Sequence, residues 1–282
     1  MSASAPVSTP PPVPPATTSA VRRGSPLAGF FVDLGIAVVA MMMLSVVAGI
    51  VWGLYRAAVV GTHAARSGAG MPDASTLNQQ LGQPGALAQV VMAIVSTGGA
   101  ALLVYFWRRR ATPAERQASD HAALKGSMWG WTLLVAAGVV VASNGLGFLA
   151  KQLGIEPVPT NQQLMQNAIA QFPAFLVLFA VLLAPAYEEL LFRRVLFGRL
   201  WQNGKPWLGM LLSSVAFALV HEIPGLSANS LPAMLLLWLI YGGMGAAFCW
   251  LYQRTGTLWA SIAAHALNNA VALAALVFLG MQ

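Results

Sequence analysis

Seven stretches of this chain, near 29–54, 87–107, 128–149, 173–200, 207–222, 232–252 and 257–280, are apolar enough to cross a bilayer. Each approaches the roughly 20 residues that a helix needs to traverse hydrocarbon. Inside hydrocarbon every backbone N–H and C=O must be satisfied within the protein, so apolar runs of this length fold as helices. The sequence is 57% hydrophobic and 8% charged, against about 25% charged residues in a soluble domain. The expected fold class is therefore all-α integral membrane, with about seven transmembrane helices.

The net charge of +7 does not point to nucleic acid, because the basic residues lie in short clusters beside apolar runs rather than on one face. With the N-terminus in the cytoplasm, twelve Lys and Arg residues fall inside, and Arg56, Arg66 and Lys151 fall outside. That bias sets the expected topology, with the C-terminus outside. Residues 1–26, rich in Pro, Ser, Ala and Thr, are expected to form a disordered cytoplasmic tail. Residues 27–165 supply about three spans and 166–282 a core of about four. A short surface helix is expected around 161–172, and Asp33 is expected to be an interfacial charge near the start of the first span. Cys249, the single cysteine, lies in an apolar run and cannot form an intramolecular disulfide.

Against this background, Glu188 and Glu189 are costly, since an ionised side chain at membrane depth costs on the order of 3 kcal/mol unless it is partnered. On a helix Glu189 and Arg193 share a face four residues apart, with the acid first, which is the better orientation for an ion pair. Glu188 is turned about 100° away and is free to face a cavity. Phe217 and His221 share a face by the same spacing, as do His265 and Asn269. At 1.5 Å per residue, Glu188, His221 and Asn269 lie roughly 20–25 Å from one membrane face and His265 about 15 Å, which is compatible with one site. Such a cluster suits amide hydrolysis. Glu188 takes a proton from water, His221 holds that water, and His265 and Asn269 offer donors to the oxyanion. Alternatively Glu188, His221 and His265 ligate a divalent metal such as zinc, which acidifies the water. The sequence leaves both open. His221-Glu-Ile-Pro-Gly225 lacks the second histidine of H-E-x-x-H. No Gly-x-Ser-x-Gly elbow is present either.

Glu188-Glu-Leu-Leu-Phe-Arg193, Phe217-Ala-Leu-Val-His221 and His265-Ala-Leu-Asn-Asn269 together resemble the three motifs of the CPBP family, the CAAX-processing and bacteriocin-processing membrane proteases also called Abi. The resemblance implies an intramembrane endopeptidase of prokaryotic type, a C-terminal CPBP/Abi-type helical core, a peptide or membrane-protein substrate in the lipid bilayer, and a plasma-membrane location. It also implies Glu188 and His221 as activators of water and His265 with Asn269 as the oxyanion site, supported by Glu189 and Arg193. Family members are commonly labelled metalloproteases, yet the best-understood mechanism in the family resembles a glutamate-activated water without metal. Arg194 stands where a glycine often follows the Phe-Arg of the first motif. The rival expectation is a non-proteolytic membrane scaffold or bacteriocin-immunity protein, with a proton-coupled transporter as a third.

Overall fold

A computed structural model describes residues 24–68 and 73–279. The tail expected over residues 1–26 lies, up to residue 23, outside the described residues, and Pro26 begins the first helix. The described residues form ten helices: α1 (Pro26–Arg66), α2 (Ala74–Leu81), α3 (Ala86–Arg108), α4 (Pro113–Ala123), α5 (Gly126–Gln152), α6 (Gln162–Gln171), α7 (Pro173–Trp201), α8 (Pro206–His221), α9 (Leu231–Thr255) and α10 (Leu258–Leu279). No strand occurs among them. Six, namely α1, α3, α5, α7, α9 and α10, are long and apolar enough to span a membrane. Large apolar side chains such as Met43 and Leu54 on α1 are two-thirds exposed, a surface that water would not tolerate and lipid solvates. The chain is an all-α integral membrane protein.

Two helices depart from the expected spans. The first apolar run was expected to end near residue 54, but α1 continues to Arg66. Arg56 supplies a reason, since its guanidinium donates to the carbonyls of Gln80 and Leu81 at the end of α2 and gives the helix a polar anchor beyond the apolar stretch. The fifth run, expected as a full span, forms the 16-residue α8. At 1.5 Å per residue it is about 24 Å long, less than the roughly 30 Å of hydrocarbon. It stops at His221 because Glu222 leaves helical geometry and Pro224 and Gly225 follow, the latter at φ +82°. The surface helix around 161–172 is present as α6.

Helix α7 sits at the centre and touches α3, α8, α9 and α10, with α1 against its C-terminal end. It is not a uniform α-helix. Pro185 has no N–H and would crowd the carbonyl four residues back, and the helix widens into a π stretch over Leu178–Leu183 just before it. A second π stretch covers Leu190–Phe197, so Glu188 and Glu189 stand on a short α segment between two π segments. Helices α8 and α9 approach closely because Gly245 has no Cβ: one placed there would lie 3.1 Å from Ser214 Cα.

One end of the bundle is tied by charge. Asp33, expected to be an interfacial charge, is fully buried within the protein, accepting from Arg108 Nε at 2.9 Å and Arg199 Nε at 2.6 Å. Gly29 leaves the space through which Arg199 reaches it, since a Cβ there would sit 2.5 Å from the guanidinium. Arg194 donates to Glu115 of α4 at 2.8 Å, and Gln202 bridges Glu115 to Arg109. Burial and the neighbouring Arg199 and Arg194 hold Arg109 down to about 10. Replacing Asp33 with Asn leaves two partly exposed arginines facing a buried neutral amide. We expect a loss of about 3 kcal/mol, the low end for breaking a buried pair, measured as a lower unfolding midpoint in detergent.

Candidate active site

Glu188 and Glu189 diverge from the same turn of α7, as helix geometry requires of adjacent residues. Glu189 is completely buried, with Oε2 3.1 Å from Arg193 Nε one turn on and Oε1 2.8 Å from His265 Nδ1. The contact with Arg193 is a close ion pair without hydrogen-bond alignment. Arg193 is itself fully buried beneath three aromatic rings, with its guanidinium carbon 4.5 Å from the Phe217 centroid, 5.3 Å from Phe248 and 5.9 Å from Phe192. Electron-rich ring faces and one carboxylate thus replace the water that this cation has lost.

Glu188 points the other way and keeps partial exposure, with 20% of its side chain accessible. Its Oε2 lies 3.8 Å from His221 Nε2 and 3.8 Å from His265 Nε2. Both gaps exceed a direct hydrogen bond, and each is short enough for one water to touch both partners. The imidazoles are fixed from behind. His221 Nδ1 is 2.8 Å from Phe217 O, its ring lying 4.3 Å from Phe217 and 4.8 Å from Tyr241. His265 Nδ1 faces the Glu189 carboxylate, and its ring stacks on Phe248 at 5.2 Å. In each case Nδ1 donates its proton to an oxygen, so Nε2 is the free nitrogen and both free nitrogens face Glu188.

Glu188, His221 and His265, which lie far apart in sequence, therefore meet in one place, with Glu189, Arg193 and Phe217 packed behind them. Asn269 stands one turn beyond His265, and its Nδ2 donates to Ala180 O of the first π stretch at 2.9 Å. Its recorded hydrogen bonds do not reach Glu188, His221 or His265. A two-histidine, one-carboxylate set has the right donor types for a divalent metal, but the spacing is poor. Tetrahedral zinc with bonds of about 2.0–2.1 Å brings its donors to about 3.3 Å of one another. Among the described residues no group of three or more His, Cys, Asp or Glu side chains is arranged to hold a metal ion.

Glu188 and His221 open onto a cavity of about 150 Å³ between α7, α8, α1 and α3. Next to His221, Glu222 forms a second buried polar cluster. Its carboxylate accepts from Thr160 Oγ1 at 2.9 Å, from Asn229 Nδ2 at 2.7 Å and from Ser227, while Trp238 Nε1 donates to its carbonyl at 2.8 Å. The loops before α6 and after α8 are thereby tied together at the residue that ends α8. No motif announced this role, and only the order Glu222, Ser227, Asn229 in a short loop hinted at it. Burial on its own would raise the Glu222 carboxyl, but the hydrogen bonds from Ser227, Asn229 and Thr160 outweigh it and hold the group below its ordinary 4.5. A depressed carboxyl stabilises the fold fully above the unfolded value and loses that contribution as pH falls through the folded one. Unfolding midpoints followed downward from pH 6 should therefore drop more steeply for the wild type than for Glu222→Gln.

Comparison with known proteins agrees with the motifs. Residues 170–271 match the family model described as Type II CAAX prenyl endopeptidase Rce1-like. A Bacillus subtilis (strain 168) protein named "Putative membrane peptidase YdiL" is 32% identical over 116 residues, 41% of this chain and 43% of that protein. The matched region thus spans less than half the length of that relative. No solved structure matches. The likeness to the CAAX-protease (CPBP) family is shown over residues 170–271, a segment that holds Glu188, Glu189, Arg193, Phe217, His221, His265 and Asn269. Helices α1 to α5 lie outside it.

Proposed function

We propose that this protein is an intramembrane endopeptidase in which Glu188 activates the attacking water. The observation that carries the reading is that a single carboxylate oxygen, Glu188 Oε2, faces the free nitrogens of two histidines at 3.8 Å each. Water placed there donates one hydrogen to Glu188 and the other to His221 Nε2. As its oxygen bonds to the scissile carbonyl carbon, its proton passes to the Glu188 carboxylate, and the carbonyl electrons move onto oxygen. For His265 to donate from Nε2 to that oxyanion it must first take up a proton there, between the carboxylates of Glu188 and Glu189. Asn269 Nδ2 has one N–H engaged by Ala180 and a second to offer. When the tetrahedral intermediate collapses, Glu188 returns its proton to the departing amine nitrogen. The products are a carboxylic acid, which keeps the second hydrogen of the water until it passes it to the amine or to bulk water, and an amine, and the carboxylate of Glu188 is restored.

Glu189 and Arg193 are supports in this scheme. Glu189 fixes the His265 ring through Nδ1, and Arg193 neutralises Glu189, so the site holds its shape whether or not Glu188 bears a proton. Water-activation by the carboxylate is favoured over a zinc-bound hydroxide because Glu188 Oε2 stands 3.8 Å from each imidazole nitrogen, wider than the donor spacing of a tetrahedral ion. The arginine-rich end carrying Arg108, Arg109, Arg194 and Arg199 is proposed to face the cytoplasm of a prokaryotic plasma membrane, which leaves the C-terminus outside.

Purified protein should cleave a subset of membrane-spanning peptides in detergent. Glu188→Gln should lower kcat by about 10³-fold and His221→Ala by about 10²-fold, with little change in unfolding midpoint, as expected when a proton-transfer group is lost. Activity should persist after exhaustive chelation. Activity that vanishes on chelation and returns with zinc would reassign Glu188, His221 and His265 as metal ligands. Equal behaviour of wild type and both variants over a broad peptide panel would favour a scaffold or immunity role.

A further inference from the structure

Resting on the protease reading above, we infer that helices α1 and α3, which lie outside the matched segment, build the pocket that selects the substrate, and that the pocket takes a branched aliphatic or phenyl side chain flanking the scissile bond. The cavity at the site is shared between two parts of the chain. Glu188 and Val220 with His221 line it from α7 and α8, while Leu34, Ala37, Val38 and Met41 of α1 and Thr97, Ala100 and Ala101 of α3 line it from the N-terminal helices. Its catalytic polar atoms lie at one end, on Glu188 and His221, and its remaining walls are overwhelmingly apolar.

The small residues make the space. Ala37, Ala100 and Ala101 are 4%, 2% and 0% exposed, so each is packed against protein everywhere except at the cavity itself. A larger side chain at Ala37 or Ala100 would take up room beside the cavity that these residues line. Met41, half-buried on the next turn of α1 after Ala37, forms an adaptable wall, since an unbranched thioether fills irregular gaps. A volume of about 150 Å³ equals that of an apolar protein cavity known to hold one benzene ring and to exclude water. One Leu, Ile or Phe side chain fits this space, an indole overfills it, and a Lys side chain would have to leave water for walls whose one carboxylate, Glu188, is committed to the catalytic water. Discrimination by such a wall should follow the usual rule for apolar pockets, about 10- to 200-fold per methylene gained or lost.

The substrate set is the best peptide found with the wild-type protein, remade with Ala, Leu, Phe, Trp or Lys at each residue flanking the cleaved bond. For the wild type, kcat/KM at one of these positions should favour Leu and Phe over Ala and Lys by about 100-fold. Ala100→Leu fills the pocket and should cut cleavage of the Phe peptide at least 10-fold while retaining that of the Ala peptide, which also shows that the variant folds. Met41→Ala enlarges the pocket and should bring the Trp peptide into range. An active wild type whose preference is the same in both variants overturns the inference and leaves the protease reading standing. A wild type that cleaves no peptide overturns both.

Discussion

The whole site depends on one buried charge balance, the Glu189–Arg193 pair. Arg193 has no exposed surface, and a bare guanidinium at that depth would be prohibitive. Glu189 neutralises it, three aromatic rings face it, and Gly245 O accepts weakly from it at 3.4 Å. Those partners come from α7, α8 and α9, so satisfying this one cation brings the three helices into register. His265 of α10 then docks on the free oxygen of Glu189. A buried ion pair is a poor source of stability relative to an apolar packing, but it is a strong selector among packings, because every alternative arrangement leaves a charge unpaired.

Much of this was legible in the residues. The apolar runs located the six spanning helices and the shorter α8, and the four-residue spacings of Glu189 with Arg193, Phe217 with His221 and His265 with Asn269 put the right side chains on shared faces. Periodicity could not show how far a helix runs once its apolar stretch ends, and α1 continues because Arg56 finds carbonyls 24 and 25 residues later. Nor could it show that Asp33 is buried, because its partners Arg108 and Arg199 lie 75 and 166 residues away. Helix α4 was readable in hindsight. Thr112, Pro113 and Glu115 form a capping box with proline in the first turn, a strong start signal hidden inside what otherwise looked like a polar connection.

Arg194 shows how a departure from a motif is absorbed. Where a glycine often stands, this chain has a second arginine, which extends to Glu115 on α4 rather than into the site. Glu115 already caps its own helix, so one carboxylate stabilises the start of α4 and fastens it to the end of α7. Burial raises the Glu115 carboxyl, but the Arg194 hydrogen bond and the Thr112 backbone N–H more than compensate and hold it below the ordinary range.

The π stretch over Leu190–Phe197 carries Arg194 and lies between Glu188 and the further charged-end residues Arg199 and Gln202. An α-helix advances about 100° per residue, and a π turn holds more residues than an α turn. The stretch therefore fixes a rotational phase: Glu188 faces the cavity while Arg194, Arg199 and Gln202 face α4, α1 and Arg109. Regularising the stretch to α without changing its length would keep every side chain and yet rotate the two ends relative to each other. The distance between Glu188 and the anchoring arginine Arg199 along α7 is thus set by its length, and their relative direction by an irregularity in its hydrogen bonding.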